Sequence, residues 1–210
     1  CIRDRWDLAD TGRTKEKCTQ PGITVMTGGT EGKRKAILGY YPDAVVLDIG
    51  EQESIGTIAD RVKKAGPIGH VIWMAPDHPV CKVDDEVIIT GQEQGVIQLF
   101  RLISGLVEAG YGLKELMWTI ITVNTRKVLA DDDILPIHAG VPGLIGSMGE
   151  EYPNWKIRFV DMAAGEDWPV EEMFSIPGTS RGKQLGYRKG KWYSRHLVPV
   201  RFGGEYRSLY

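Results

Sequence analysis

Apolar residues in the middle of this chain come in short runs separated by amphipathic stretches, and the alternation predicts strands and helices in turn. Residues 23–26 read as a strand and 31–41 as a helix stopped before Pro42. Residues 44–49 form a second short strand. Over 52–65, Ile55, Ile58, Ala59 and Val62 keep a helical spacing that Gly66 and Pro67 end. Residues 70–75 are a third strand. The strongest helix pattern covers 92–109, with Val96, Leu99, Phe100, Ile103, Leu106 and Val107 on one face. Leu116–Val123 is an apolar, β-branched strand, Val141–Glu151 a glycine-containing helix, and 156–161 a further strand. Near-continuous apolar strands alternating with helices argue for a parallel sheet covered on both faces.

The ends follow another pattern. Gln184–Arg188 and 191–195 flank Lys189 and Gly190, a hairpin signal, and 196–202 continues extended, with Pro199 pointing to an edge. Ile2–Leu8 reads as one more strand, and 165–179, with two prolines, as a surface excursion. The expected fold class is therefore α/β: a truncated, doubly wound parallel sheet with helices on both faces, plus a small β-addition from the termini.

Composition narrows the function classes. The 210 residues are 42% hydrophobic and 26% charged, with a net charge of -2, which gives no reason to expect nucleic acid or an acidic membrane as partner. No apolar run approaches a membrane span and no signal peptide is visible. Cys1, Cys18 and Cys81 match no metal-ligand spacing and read as reduced thiols of a cytoplasmic protein. A chain that opens on Cys1 and closes on an apolar-aromatic run reads as a piece of a longer polypeptide.

The chemistry turns on a dinucleotide-binding turn that starts and then breaks. Short-chain dehydrogenases carry T-G-x-x-x-G-x-G after the first strand of their Rossmann-like fold, so that the backbone can approach a pyrophosphate. Thr27, Gly28 and Gly32 fit, but Arg34 stands at the last glycine. Those enzymes also need a Tyr-x-x-x-Lys pair on the helix corresponding to 141–151, for acid–base chemistry at a carbonyl. Aligning Gly143 to Glu151 puts Ile134 at the tyrosine position and His138 at the lysine position. Thr122 and Thr125 lack the partner they would need, and Tyr187 with Lys191 lies on the hairpin, where i and i+4 are not neighbours.

These features resemble one family. The chain is similar to the N-terminal structural subdomain of a modular polyketide synthase ketoreductase, a short-chain dehydrogenase/reductase relative. The resemblance is carried by VPGLIGSMGEEYPNWKIRFVDM, then HVIWMAP, GVIQLFRLISGLVEAG and the closing YRKGKWYSRHLVPV. The wording is closer to synthases without built-in acyltransferases. The resemblance implies one subdomain over 1–210: an N-terminal strand and linker (1–20), a degenerate Rossmann core (21–162), a C-terminal hairpin and strand (184–202), and a linker (203–210) toward a catalytic subdomain. It implies that this half binds no cofactor and is inactive. The missing half would bind NADPH, carry Ser, Tyr, Lys and Asn, and reduce a β-ketoacyl thioester on a carrier protein, in a multidomain, antibiotic-type assembly. No catalytic, cofactor-binding or metal residue is assigned to the chain itself. The implied partners are the catalytic subdomain, neighbouring synthase domains and the acyl carrier protein. Other readings stay open: a pseudo-ketoreductase, a free-standing NAD(P)-dependent dehydrogenase, and a nucleotide or acyl-CoA binder using Gly28 to Gly32 as an anion nest.

Several residues carry two readings. Asp48, 20 residues after Gly28, is a ribose contact or, more simply, a cap or solvent-facing acid. Asp131, Asp132 and Asp133 read as a solvated turn or helix cap rather than a cation site. His70, His78, His138 and His196 show no metal spacing. Arg181, Lys183, Arg188, Lys189, Lys191 and Arg195 make either a solvated hairpin or a face for an acidic partner. Trp155, Trp168 and Trp192 anchor either an interface with the missing half or the chain's own core.

Overall fold

A computed structural model describes residues 2–12, 21–78, 81–82 and 84–199. The expected linkers at 13–20 and 203–210, with Cys1 and Cys18, lie outside the described residues. The eight strands are β1 (Ile2–Leu8), β2 (Ile23–Gly28), β3 (Val45–Val46), β4 (Ile68–Met74), β5 (Leu116–Val123), β6 (Trp155–Met162), β7 (Gln184–Arg188) and β8 (Lys191–Pro199). They form one sheet in the order β1-β8-β7-β6-β5-β4-β2-β3. Pairing is parallel from β3 to β7, and antiparallel at β7–β8 and β8–β1. The fold is thus the expected α/β sheet with a β-addition built from both termini.

Six α-helices cover it: α1 (Glu31–Tyr40), α2 (Ile55–Ala65), α3 (Val87–Thr90), α4 (Gln98–Glu108), α5 (Val141–Glu151) and α6 (Val170–Ser175). On one face α2, α4 and α5 pack Ile58, Val62, Leu102, Leu106, Ile145 and Met148 against alternate strand residues. On the other, α1 and α6 bring Ile37, Met173 and Phe174 onto Met26, Ile72, Val160 and Met162. All eight residues of β5 are buried, as an apolar run between two helical layers requires.

Five expectations are corrected. The helix over 92–109 is broken: α4 follows a π-helical turn at Glu93–Ile97, with Gly95 non-helical at φ -98° and ψ -112°. A Cβ at Gly95 would lie 2.8 Å from the His138 ring, so the wide turn makes room for that side chain. Phe100, expected on the core side, is 52% exposed. The strand over 44–49 shrinks to the pair Val45–Val46. The excursion at 165–179 contains α6, whose Met173 and Phe174 are fully buried. Finally, β8 is not an edge. It lies between β7 and β1, with β1 pairing it from Tyr193 to Pro199.

Candidate functional site

The carboxyl ends of the parallel strands are where an open α/β sheet places its ligands. A crevice and a buried charge cluster lie there. The first, of about 330 Å³, is bounded by the glycine turn, Asp48, Glu51, Gln94 and Gln98. Gly28 and Gly29 have positive φ, 76° and 67°. They are needed by the sheet itself. A Cβ on Gly28 would sit 2.0 Å from the Met74 carbonyl oxygen, and one on Gly29 2.7 Å from the Met74 sulfur. Gly32, by contrast, faces open space.

Arg34 folds back over the turn. Its Nε donates to the Gly28 carbonyl at 2.8 Å, and its guanidinium pairs with Asp48 at 2.7 Å. The sequence marks both residues, yet neither reading of Asp48 anticipates that it is held by Arg34. Further along, the Gln98 amide donates to the Ile49 carbonyl at 2.9 Å, and Gln94 donates to Glu51. Gln94 lies in the turn that Gly95 widens and Gln98 opens α4 directly after it, a placement that helical periodicity conceals. Glu31 adds a carboxylate in the first turn of α1, at the positive end of the helix dipole where a phosphate would otherwise sit. Lys33 is engaged by Asp77 and lies 5.0 Å above the Trp168 ring.

Ile134 and His138 do not share a helix. α5 begins only at Val141; His138 ends a short 3₁₀ turn, Pro136–His138, and Ile134 stands in the loop before it, 42% exposed. His138 is buried, bonds the Pro76 carbonyl through Nε2 at 3.1 Å, and has no partner at Nδ1. Burial holds its pKa below the usual imidazole value. His78 approaches it at 5.2 Å between ring centres, a meeting the sequence does not reveal. Among the described residues no group of three metal-ligating side chains forms.

Over β5, β6 and β7 lies a buried charge cluster that the sequence misses. Arg188, expected on a solvated hairpin, is buried. It donates to Asp161 at 2.6 Å, to Asp132 at 2.9 Å and to the Asp161 carbonyl at 2.8 Å. Asp161 also accepts from the Thr122 hydroxyl at 2.6 Å and the Thr125 amide at 2.9 Å. Asp132, expected to be solvated, instead accepts from the Val128 and Leu129 amides at 2.9 and 3.0 Å. The loop after β5 is therefore tied across β6 and β7. The rest of the basic cluster is largely neutralised: Lys189 pairs with Asp131, Arg181 with Glu150 and Arg195 with Asp4. Trp155 and Trp192 belong to the chain's own core, while Trp168 is half-buried beneath Lys33.

No family model matches the chain. Polyketide synthase PksN of Bacillus subtilis (strain 168) is 42% identical over 177 residues, 84% of this chain. The chain belongs among the polyketide synthase sequences. It spans only 3% of the length of that relative. In fold it is similar to a C2-type ketoreductase from a modular polyketide synthase, with a TM-score of 0.63 and 18% identity over 97% of this chain and 44% of that one. It is also similar to an adenylation, ketoreductase and pseudo-Asub multidomain structure of a keto acid-selecting NRPS module, with a TM-score of 0.75 and 15% identity over 95% of this chain and 18% of that one. The glycine turn and the buried Asp161–Arg188 cluster thus sit on a ketoreductase-like fold. No helix among the described residues is long and apolar enough to cross a membrane.

Proposed function

We propose that this chain is the non-catalytic, structural half of a polyketide synthase ketoreductase. It supports a separate catalytic half that reduces a β-ketoacyl thioester on a carrier protein with NADPH. The observation that carries the reading is the Arg34–Asp48 pair, which places the chain's own side chains where the turn would otherwise meet a pyrophosphate and a ribose. The residues of this crevice do not fit a dinucleotide, because Arg34 and Glu31 oppose the backbone approach and the negative charge that phosphate binding needs. A tyrosine acid is missing for the same chemistry: Ile134 offers no proton and is not on α5. The 44% share of the ketoreductase neighbour leaves room for a second half of similar size.

Calorimetric titration of NADPH to millimolar concentration tests the reading, followed by mixing with the catalytic half. The expected outcome is no saturable heat from this chain, and ketoreduction that is restored or stabilised when the halves are combined. Saturable binding, or a catalytic half fully stable and active alone, overturns it.

A further inference from the structure

The turn that breaks the 92–109 helix is also a socket. A Cβ at Gly91 would lie 2.2 Å from Ile137 Cδ1, and one at Gly95 2.8 Å from His138 Nδ1. The 3₁₀ turn Pro136–His138 therefore seats two consecutive side chains, both buried, in the space that two glycines four residues apart leave open. Gln92 locks the seat, its amide donating to the Ile137 carbonyl at 2.8 Å. The same turn carries Gln94 and leads into Gln98, whose amides reach Glu51 and the Ile49 carbonyl and wall the glycine-turn crevice. What fills the socket thus decides where that wall stands.

The protonation of the seated ring follows from its contacts. A carbonyl oxygen only accepts, so the 3.1 Å contact to Pro76 puts the proton of the neutral ring on Nε2. Nδ1 then carries the bare lone pair, buried against Gly95 and without a partner. A second proton would have to go there, as a charged, buried N–H facing a Cα with no acceptor. His78, 5.2 Å away between ring centres, would add its own charge if it were protonated too. The carboxylates of the surrounding elements are engaged elsewhere: Asp77 by Lys33, Asp161 by Arg188, and Glu93 of the turn itself by Arg101.

We propose that His138 is a proton-released latch on the glycine-turn crevice. Neutral, it fills the socket, holds residues 91–97 in the wide turn, and keeps Gln94 and Gln98 on the loop after β3. Protonated from solvent at Nδ1, it leaves the socket for water, and the turn lifts with both glutamines. The sign follows from the two states. The released ring takes its proton near the ordinary value of about 6.5, and the seated ring only at lower pH, so opening is unfavourable above that value. Below it, opening gains about tenfold per pH unit until the seated ring titrates as well. The Arg34–Asp48 pair on the other side of the crevice takes no part, and the latch stands apart from the structural-half reading.

The test is hydrogen exchange of the 92–98 amides, read by mass spectrometry on the 210-residue chain from pH 7.5 to 5.5 and corrected for the intrinsic pH dependence of exchange. Exchange through opening is expected to rise severalfold, up to about tenfold, while the amides of α2 keep their protection. His138→Gln still donates to the Pro76 carbonyl but takes up no proton, and a flat profile is expected. Gly95→Ala drives a Cβ into the ring, so its 92–98 amides are expected to exchange fast at pH 7.5 already. A flat profile in the native chain overturns the latch, whatever the variants do. A rise shared by α2 overturns it as well, since the loosening is then global. So does a rise that His138→Gln retains, which places the proton on His78 or further away.

Discussion

The two charged sites at the carboxyl ends of this sheet are built by opposite means. Over β2 the closure is an exposed ion pair: the Arg34 and Asp48 side chains keep 26% and 70% of their surface in water. Over β5, β6 and β7 it is a buried cluster, with Arg188 at 2% and Asp161 at 0%. Exposed pairs contribute about 0–1 kcal/mol, whereas removing one member of a buried pair costs about 3–5 kcal/mol by stranding the other charge. The first site therefore carries little energetic stake, whereas the second is part of the core. Asp161→Ala breaks the comparison if the buried cluster is unimportant. Chemical denaturation should show a loss of about 3–5 kcal/mol, because Arg188 keeps only Asp132 as counter-ion and the Thr122 hydroxyl loses its acceptor. A loss below about 1 kcal/mol would mean that water replaces the carboxylate and that the cluster is not a keystone.

The next effect belongs to the glycine turn. Here Gly28 serves the fold, since its Cβ would enter the Met74 carbonyl at 2.0 Å and its φ is 76°. Gly28→Ala should lose about 2–4 kcal/mol in thermal or urea unfolding through strain and overpacking. Gly32→Ala, at an open position in the first turn of α1, should be neutral or gain a few tenths of a kcal/mol, as glycine is a poor helix former. Equal penalties at the two positions would mean that the turn still packs as a cofactor turn does.

The contrast also explains what could be read from the sequence. Strands buried on both faces announce themselves as apolar runs, so Leu116–Val123 and the parallel order around it were legible. The lesion at Arg34 was legible as a departure from a pattern, but its pairing with Asp48 depends on the β3–α2 loop folding back, which no local signal encodes. Arg188 was misread because charged residues beside a turn are usually solvated, and its partners Asp161 and Asp132 lie 27 and 56 residues away. The break at Gly95 was hidden for another reason. Apolar spacing runs unbroken from Val96 into α4, while the cause of the break, the His138 ring, comes from a distant turn.

A third effect tests burial without an ion pair. Arg158 donates to the Thr119 hydroxyl at 2.9 Å, and that hydroxyl shares a further hydrogen bond with His70 Nε2 at 2.9 Å. Burial first, and the Arg158 charge second, hold the His70 pKa down at about 3. The unfolded chain takes up a proton near the ordinary value of about 6.5 while the folded one does not, so stability is full above that pH and falls as pH drops toward 3. Down to pH 5 the loss from this one group should be about 2 kcal/mol. His138, also held low by burial, adds in the same direction. Urea midpoints measured from pH 7.5 to 5 should fall for the native chain and fall less for His70→Gln, which retains an acceptor for Thr119. Parallel profiles would place the proton uptake elsewhere.

The smallest effect returns to the exposed closure. Arg34→Met keeps an aliphatic stem over the turn and removes the charge and both polar contacts, to Gly28 and Asp48. With Asp48 largely in water, the expected loss is below about 1 kcal/mol at low ionic strength and shrinks further in 1 M salt, where charges are screened within about 3 Å. The same salt series should leave the penalty of Asp161→Ala nearly unchanged, since its partners are buried and little screened. The two responses to salt therefore separate the closures more sharply than the two stabilities do. If Arg34→Met proved as costly and as salt-insensitive as Asp161→Ala, the Arg34–Asp48 pair would be a core element in its own right, and the contrast between the two sites would be lost.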